Sequence, residues 1–329
     1  MDMLPGKVPP EVLRAILSLF KFSDERVLVG PGEGIDGAVV DFGNEVLVAS
    51  TDPITGTERR IGFYAVHINA NDVAVMGAEP RWFLSTVLLP EDSEEGLALR
   101  IAGEIEENAG KLGVAVIGGH TEVTPGLKRP IVVGTMLGVA PKEKFVSPER
   151  ISPGDLIVVT KWVGLEGTSI IAEEKGEELR EVMSEEELER AKKLIELISV
   201  VKEALASRDF ASGMHDPTEG GLANGLHEMA NAAKLGFRVF ADRIPILPET
   251  RKICEFYNLN PLALISSGAL LIALPRRNAG GLLQRLSGMG IPVSIIGEFT
   301  SEGERVIVER GRELPLERPK TDELWKVVA

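Results

Sequence analysis

The stretch IGFYAVHINANDVAVMGAEP, residues 61–80, constrains the fold more than any other part of the chain. Its length and apolar spacing predict a helix over 61–77 with almost no face left for water, so other elements must enclose it. Yet Asn69, Asn71 and Asp72 stand near its middle, at a cost in helix propensity. The spacing puts Asn69 and Asp72 on one face with Met76 a turn beyond, while His67 and Asn71 share a neighbouring face. A buried, unpaired Asp72 would be an uncompensated charge. It is therefore satisfied locally, or it holds a metal ion or another cation.

Around this helix the periodicity alternates irregularly between strand and helix. PPEVLRAILSLF predicts a short amphipathic helix, and RVLVG, GAVVDFG, EVLVAST and RWFLSTVLLP predict strands. Residues 92–112 predict a helix capped by Asp92 or Ser93, and VAVIGGHTEV and PIVVGTMLGVA are strands. The Pro/Ser-rich PKEKFVSPERISPGD marks a boundary near 150, giving domains 1–150 and 151–329. Beyond it come the strand DLIVVTK, a long charged helix around 184–206, the segment HDPTEGGLANGLHEMANAAK, a helix near 249–257, and strands FRVFA, ALLIALP and PVSIIGEF. Two α+β domains fit this order better than a doubly wound sheet, and 329 residues are enough for two cores.

A net charge of −14 opposes nonspecific binding to nucleic acid or anionic membranes. The lone Cys254 allows no intrachain disulfide and no thiolate metal cluster, and is expected to be a buried core thiol. No apolar run is long enough to span a bilayer, and the opening residues lack a signal-peptide pattern, so a cytoplasmic protein is expected. Gln284 is the single glutamine beside abundant Glu, a composition found in hyperthermophiles.

Five stretches could carry chemistry. In VGPGEGIDGAVVDF, Gly32 and Gly34 allow an anion nest ahead of Asp36, or a plain hairpin loop. In VLVASTDPITGT, Asp52 ends a strand before Pro53, as a turn former or as a Mg²⁺ carboxylate. The 67–80 stretch is the third. In VAVIGGHTEV a strand runs into Gly118 and Gly119 and then His120, Thr121 and Glu122, which can coordinate or donate. In MHDPTEGGLANGL, Asp216, Pro217 and Glu219 predict a capping box, with Thr218 inside it. Gly220 and Gly221 in the first turns then leave room for a ligand at a helix N-terminus. No GxxxxGK[ST], no helix-opening GxGxxG and no GxSxG occurs.

The order GIDGAVV, STDPIT, NANDVAVMGAEP, GGHTE and HDPTEGGL resembles the superfamily of aminoimidazole ribonucleotide (AIR) synthase, formylglycinamide ribonucleotide synthetase, thiamine-monophosphate kinase, selenophosphate synthetase and hydrogenase maturation factor HypE. NDVAVMGAEP is the most specific piece, and HypE is the member most alike. The resemblance implies a two-domain α+β, AIR synthase-like (PurM-like) fold whose N-terminal domain pairs across a homodimer. It implies ATP and Mg²⁺ as cofactors. Asp36, Asp52 and Asp72, with Glu122, become the metal and phosphate carboxylates. Gly32, Gly34, Asn71, Gly118, Gly119 and Thr121 line the nucleotide, and Asp216, Thr218 and Gly220 face the acceptor. His120, His215 and Asp216 become candidates for proton handling.

There are departures. HypE proteins end in a Cys-bearing tail, whereas this sequence ends DELWKVVA, and GGHTE stands where several members have GGDT. Two functions follow. One is a Mg·ATP-dependent enzyme that phosphorylates an oxygen, such as an amide or carboxamide oxygen, of a small-molecule or protein-borne acceptor. The other is a HypE-like ATP-binding maturation or regulatory partner without the tail-Cys chemistry.

Overall fold

The computed structural model describes residues 7–20, 24–301 and 303–328. Helix α1 (Pro10–Leu17) opens the described chain, as the Pro-led amphipathic pattern predicts. Two compact units follow: one holds residues 24–30 and 36–145, and the other holds 31–35, everything from Val146 on, and the N-terminal segment with α1. The division expected near 150 therefore falls at Val146, and the N-terminal helix groups with the second unit.

The first unit is built from β1 (Val27–Val29), β2 (Ala38–Asp41), β3 (Glu45–Ile54), α2 (Ile61–Val75), β4 (Glu79–Leu89), α3 (Glu95–Leu112), β5 (Ala115–Val123) and β6 (Ile131–Pro141). Its six-stranded sheet runs β1-β2-β3-β6-β4-β5, with only β4 and β5 parallel. All fifteen residues of α2 are buried, as an all-round apolar helix requires. It lies directly on β6 because positions 134 and 138 are glycine; a Cβ there would run into Asn69 and Val73 of α2. On its other side, Gly62 lets α3 approach, and the Gly62 amide donates to Glu104 Oε2 at 3.0 Å. Helix α3 begins after Glu94 with no side-chain cap, so the expected Asp92 or Ser93 cap is not made.

The strand predicted to end at Thr51-Asp52-Pro53 continues to Ile54 and stays in register with β6 throughout. Strand β2 pairs only as far as Ala49, so from Ser50 onward β3 is open on that side and Pro53 interrupts no ladder. Asp52 is therefore a strand residue and not a turn former.

The second unit continues with β7 (Leu156–Thr160), α4 (Leu165–Glu174), α5 (Gly176–Leu179), α6 (Glu185–Lys193), α7 (Val201–Ser207), β8 (Gly213–His215), α8 (Gly221–Ala233), β9 (Gly236–Phe240), α9 (Pro248–Tyr257), β10 (Leu270–Leu274), α10 (Ala279–Gly288), β11 (Val293–Thr300), β12 (Arg305–Glu309), β13 (Arg312–Pro315) and α11 (Trp325–Val328). Its seven-stranded mixed sheet runs β13-β12-β9-β11-β7-β10-β8. Strands β7 and β10 are buried at every position, because apolar layers cover both faces. One layer joins α8 to the sheet through Leu222, Leu226, Met229, Phe237 and Val239. Another joins α4, α6 and α9 through Ile171, Leu188 and Ile253, and includes Cys254. Burial pushes the Cys254 thiol up to about 12, which fits the expected inert core role.

The long helix expected at 184–206 is broken into α6, a short 3₁₀ turn (Leu194–Leu197) and α7. The buried Lys161 ammonium donates to the carbonyls of Leu197 and Ser199 at 2.8 and 2.7 Å and pairs with Glu203 at 2.6 Å. Those carbonyls are thus drawn to a cation from the end of β7 instead of continuing a helical ladder. No helix among the described residues is long and apolar enough to cross a membrane.

Candidate functional site

In the first unit the polar residues of α2 meet the end of β3. Ser50 Oγ donates to Asp72 Oδ2 at 2.8 Å, so a neutral hydroxyl is one partner of the buried carboxylate. Asn69 serves the scaffold: its Oδ1 accepts the Asp52 amide at 2.8 Å, while its Nδ2 donates to the carbonyls of Ala65 at 2.8 Å and Asp52 at 3.3 Å. Thr51 Oγ1 donates to the Gly134 carbonyl at 2.7 Å. The backbone carrying Asp52 is thereby pinned on both sides, and Asp52 and Asp72 sit on rigid elements joined by short hydrogen bonds. Asn71 is fully buried on the same helix. Asp36 lies half-buried in the loop entering β2. His67 points elsewhere; packed on Phe63 and 3.4 Å from Asn108 Oδ1, it is pushed by burial to about 4 and stays neutral.

Gly118, Gly119, His120, Thr121 and Glu122 lie on β5, every residue of which is exposed. His120 Nε2 is 3.0 Å from Glu122 Oε2, and Thr124 donates to Glu122 Oε1 at 2.9 Å. Strands β6 and β4 separate β5 from β3, a span of roughly 14 Å at ordinary strand spacing. The first unit therefore fixes the Asp52 backbone and the Asp72 carboxylate at the contact of β3 with α2, but holds the GGHTE segment apart from it, on the sheet's edge.

In the second unit, His215 ends β8 with its Nε2 3.0 Å from Glu228 Oε2 on α8. Burial alone would raise the Glu228 pKa; Lys7, 3.2 Å from Oε1, and His215 overcome it and hold the carboxyl well below the usual range. An ionised carboxylate only accepts, so His215 Nε2 carries a proton and donates it to Glu228. This is the arrangement of a base held by an orienting acid. Sequence reading missed Glu228, although it lies only thirteen residues beyond His215. Asp216 is buried beside this pair, and Thr218 is half-buried. His227 is structural: Nε2 donates to the Leu316 carbonyl at 2.8 Å and Nδ1 accepts from Arg305 at 2.8 Å.

The capping box expected at 216–219 does not form. Helix α8 starts at Gly221, behind Gly220 in the left-handed region at φ 77°. Asp322, from near the C-terminal end, supplies the missing acceptor: its Oδ2 takes the Gly220 amide at 2.6 Å. Gly34 also has a packing reason, since a Cβ there would lie 2.5 Å from the Glu228 carbonyl oxygen, at a φ of +74°. Neighbouring Glu33 is bound by Arg318, by Asn231 at 2.8 Å and by Arg14 at 3.2 Å.

Residues 34–140 match the N-terminal domain of the AIR synthase related proteins, and residues 152–309 match the C-terminal domain. The chain belongs to this family. A protein of Methanocaldococcus jannaschii assigned provisionally to hydrogenase expression/formation is 30% identical over 92% of this chain and 91% of its own length. Carbamoyl dehydratase HypE of Rhodobacter capsulatus is 27% identical over 89% of this chain and 84% of its own length. The crystal structure of hydrogenase maturation protein HypE in complex with ATP superposes with a TM-score of 0.72 at 23% identity, covering 95% of this chain and 91% of that one, a likeness of fold.

Proposed function

We propose that this protein binds Mg·ATP and transfers the γ-phosphoryl group to an oxygen of an acceptor. The observation that carries the reading is the buried Ser50–Asp72 pair next to Asp52, whose backbone Asn69 locks in place. Carboxylates and a hydroxyl are hard oxygen donors, the chemistry that suits Mg²⁺ and not a softer metal, so the residues present fit the ion. Asp52 and Asp72 would hold it, with Asp36 joining them by motif. When bound, Mg²⁺ neutralises the phosphate charge and leaves the γ-phosphoryl open to attack.

The protein's own contribution is positioning: short hydrogen bonds fix β3 against α2, so the carboxylates need no reorganisation. His215, oriented by Glu228, takes the acceptor's proton, and this dyad favours an enzyme over a passive nucleotide binder. An amide or carbamoyl oxygen is the chemistry suggested by the name of the Rhodobacter relative. A homodimer accounts for the free β5 edge: a second copy paired there would bring GGHTE to a site that one chain leaves incomplete.

Calorimetric titration of ATP, with Mg²⁺ and then with chelator, tests the reading. Magnesium-dependent binding that Asp72→Asn weakens at least tenfold is expected. Affinity unchanged in Asp72→Asn sinks it.

A further inference from the structure

The acceptor's chemistry is narrowed by residues of the second unit that no sequence motif marks. Helix α4 starts behind Gly164, and its second residue is the buried Glu166. Its first turn is tied to segment 265–267: the Gly164 amide donates to Ser266 Oγ at 2.7 Å and the Gly167 amide to the Ile265 carbonyl at 3.1 Å. The same segment is tied to the glycine turn at 220–221. Asp322 takes the Gly220 amide on one oxygen and the Ile265 amide, at 3.2 Å, on the other, and Gly221 packs on the carbonyls of Leu262 and Leu264. Glu166, Ser267, Asp322 and Glu219 are thereby gathered beside the turn that opens α8.

Two observations in this group point to a ligand. Burial raises Glu166 to about 7; Asp322 and Glu219 push the same way, and only Ser267 opposes them. Asp322, also raised by burial, stands at about 6 although three backbone amides bond to it. None of the charges that act most strongly on either carboxyl is positive. Independently, Ser267 Oγ is fully buried, and neither it nor Glu166 Oε2 makes a hydrogen bond of ordinary geometry. The Ser267 donors that oppose the shift lie near the carboxyl without satisfying either oxygen. A pair of buried oxygens with no well-formed hydrogen bond is costly in a native interior.

We propose that Glu166 Oε2 and Ser267 Oγ receive the N–H groups of a cationic nitrogen, an ammonium or amidinium, carried by the phosphoryl acceptor. That the cation belongs to the acceptor rests on the phosphoryl-transfer reading; the cation site stands on the residues just named. A cation supplies the donors that both oxygens lack and the positive charge that Glu166, Glu219 and Asp322 lack. A neutral amide supplies only the donors. Binding draws Glu166 into its ionised form, so near pH 7 about half a proton leaves per cation bound, and almost none at pH 9.

The test uses the full chain and isothermal titration with acetamidinium and methylammonium chloride, in two buffers of different ionisation heat, and with acetamide as the neutral isostere. Saturable binding of one or both cations is expected, with about half a proton released at pH 7. Glu166→Gln should abolish the proton release, and Ser267→Ala should weaken binding about tenfold, roughly the loss of one charge-assisted hydrogen bond. Should Glu166→Gln fail to fold, the wild-type proton count and Ser267→Ala decide. Absence of saturable binding, binding unaltered in Ser267→Ala, or equal binding of acetamide overturns the proposal. Mg·ATP affinity measured on the same samples separates the two readings: its absence removes the phosphoryl reaction, while the cation site stands or falls by its own titration.

Discussion

Glu166 also makes a sharp prediction about stability. Its carboxyl ionises near 4.5 when exposed and at about 7 in the fold, with burial the main cause. Below pH 4.5 it is protonated in both states and costs nothing. As pH rises from 4.5 to 7, the unfolded chain releases this proton and the folded chain keeps it, so stability falls; above 7 the full penalty applies. Each unit of pKa displacement is worth about 1.4 kcal/mol, so the loss totals roughly 3 kcal/mol. Glutamine mimics the protonated form and cannot ionise. Glu166→Gln should therefore exceed the wild-type unfolding free energy by less than about 1 kcal/mol at pH 5 and by about 3 kcal/mol at pH 8.5. Asp322, raised from 3.8 to about 6, acts in the same direction at lower pH. His67, lowered to about 4, acts oppositely, since stability is lost as pH falls from 6.5 through 4. Both remain in the variant, so the difference between the two proteins reports Glu166 together with its coupling to Asp322. Urea unfolding at pH 5, 7 and 8.5 measures it, and parallel pH profiles for the two proteins would refute the reasoning. A stabilising substitution at a buried acid is the signature of a group retained for binding.

Two further outcomes follow from packing. Gly221→Ala places a Cβ against the Leu264 carbonyl at a φ of +59° and should cost about 2–4 kcal/mol, read as a fall in thermal midpoint; an unchanged midpoint would contradict the tight turn. Lys161→Met leaves Glu203 buried without its cation and frees the carbonyls of Leu197 and Ser199. It should destabilise by about 3–5 kcal/mol in denaturant unfolding, with much of the loss recovered when Glu203→Leu is added.

The elements legible in the sequence are those whose pattern has one physical solution. Helix 61–75 is apolar all round, so it had to be enclosed, and the strands beside it alternate or run apolar as a covered sheet requires. Asp52, Asn71 and Asp72 stood out because polar groups at such positions need a partner. The failures share a different cause. Asp92 or Ser93 was expected to cap α3 and Asp216 to cap α8, on local spacing alone. The structure caps α8 with Asp322, about a hundred residues away, and breaks the charged helix after 193 because Lys161 captures its carbonyls.

Glu166, Glu228 and Ser267 carry no motif at all. Glu166 reads as an ordinary first-turn helix acid, and only its burial with unbonded oxygens beside Ser267 distinguishes it. Glu228 reads as a polar position on an amphipathic helix until β8 delivers His215 to it. By itself the sequence determined the class of fold, the buried helix and the polar residues on it that need partners, since these depend on local periodicity and on the cost of burying charge. Only the tertiary structure decided which acid orients which histidine, which carboxylate caps which turn, and which polar atoms are left waiting for a ligand. Those outcomes depend on distances between residues far apart in the chain, which no local pattern encodes.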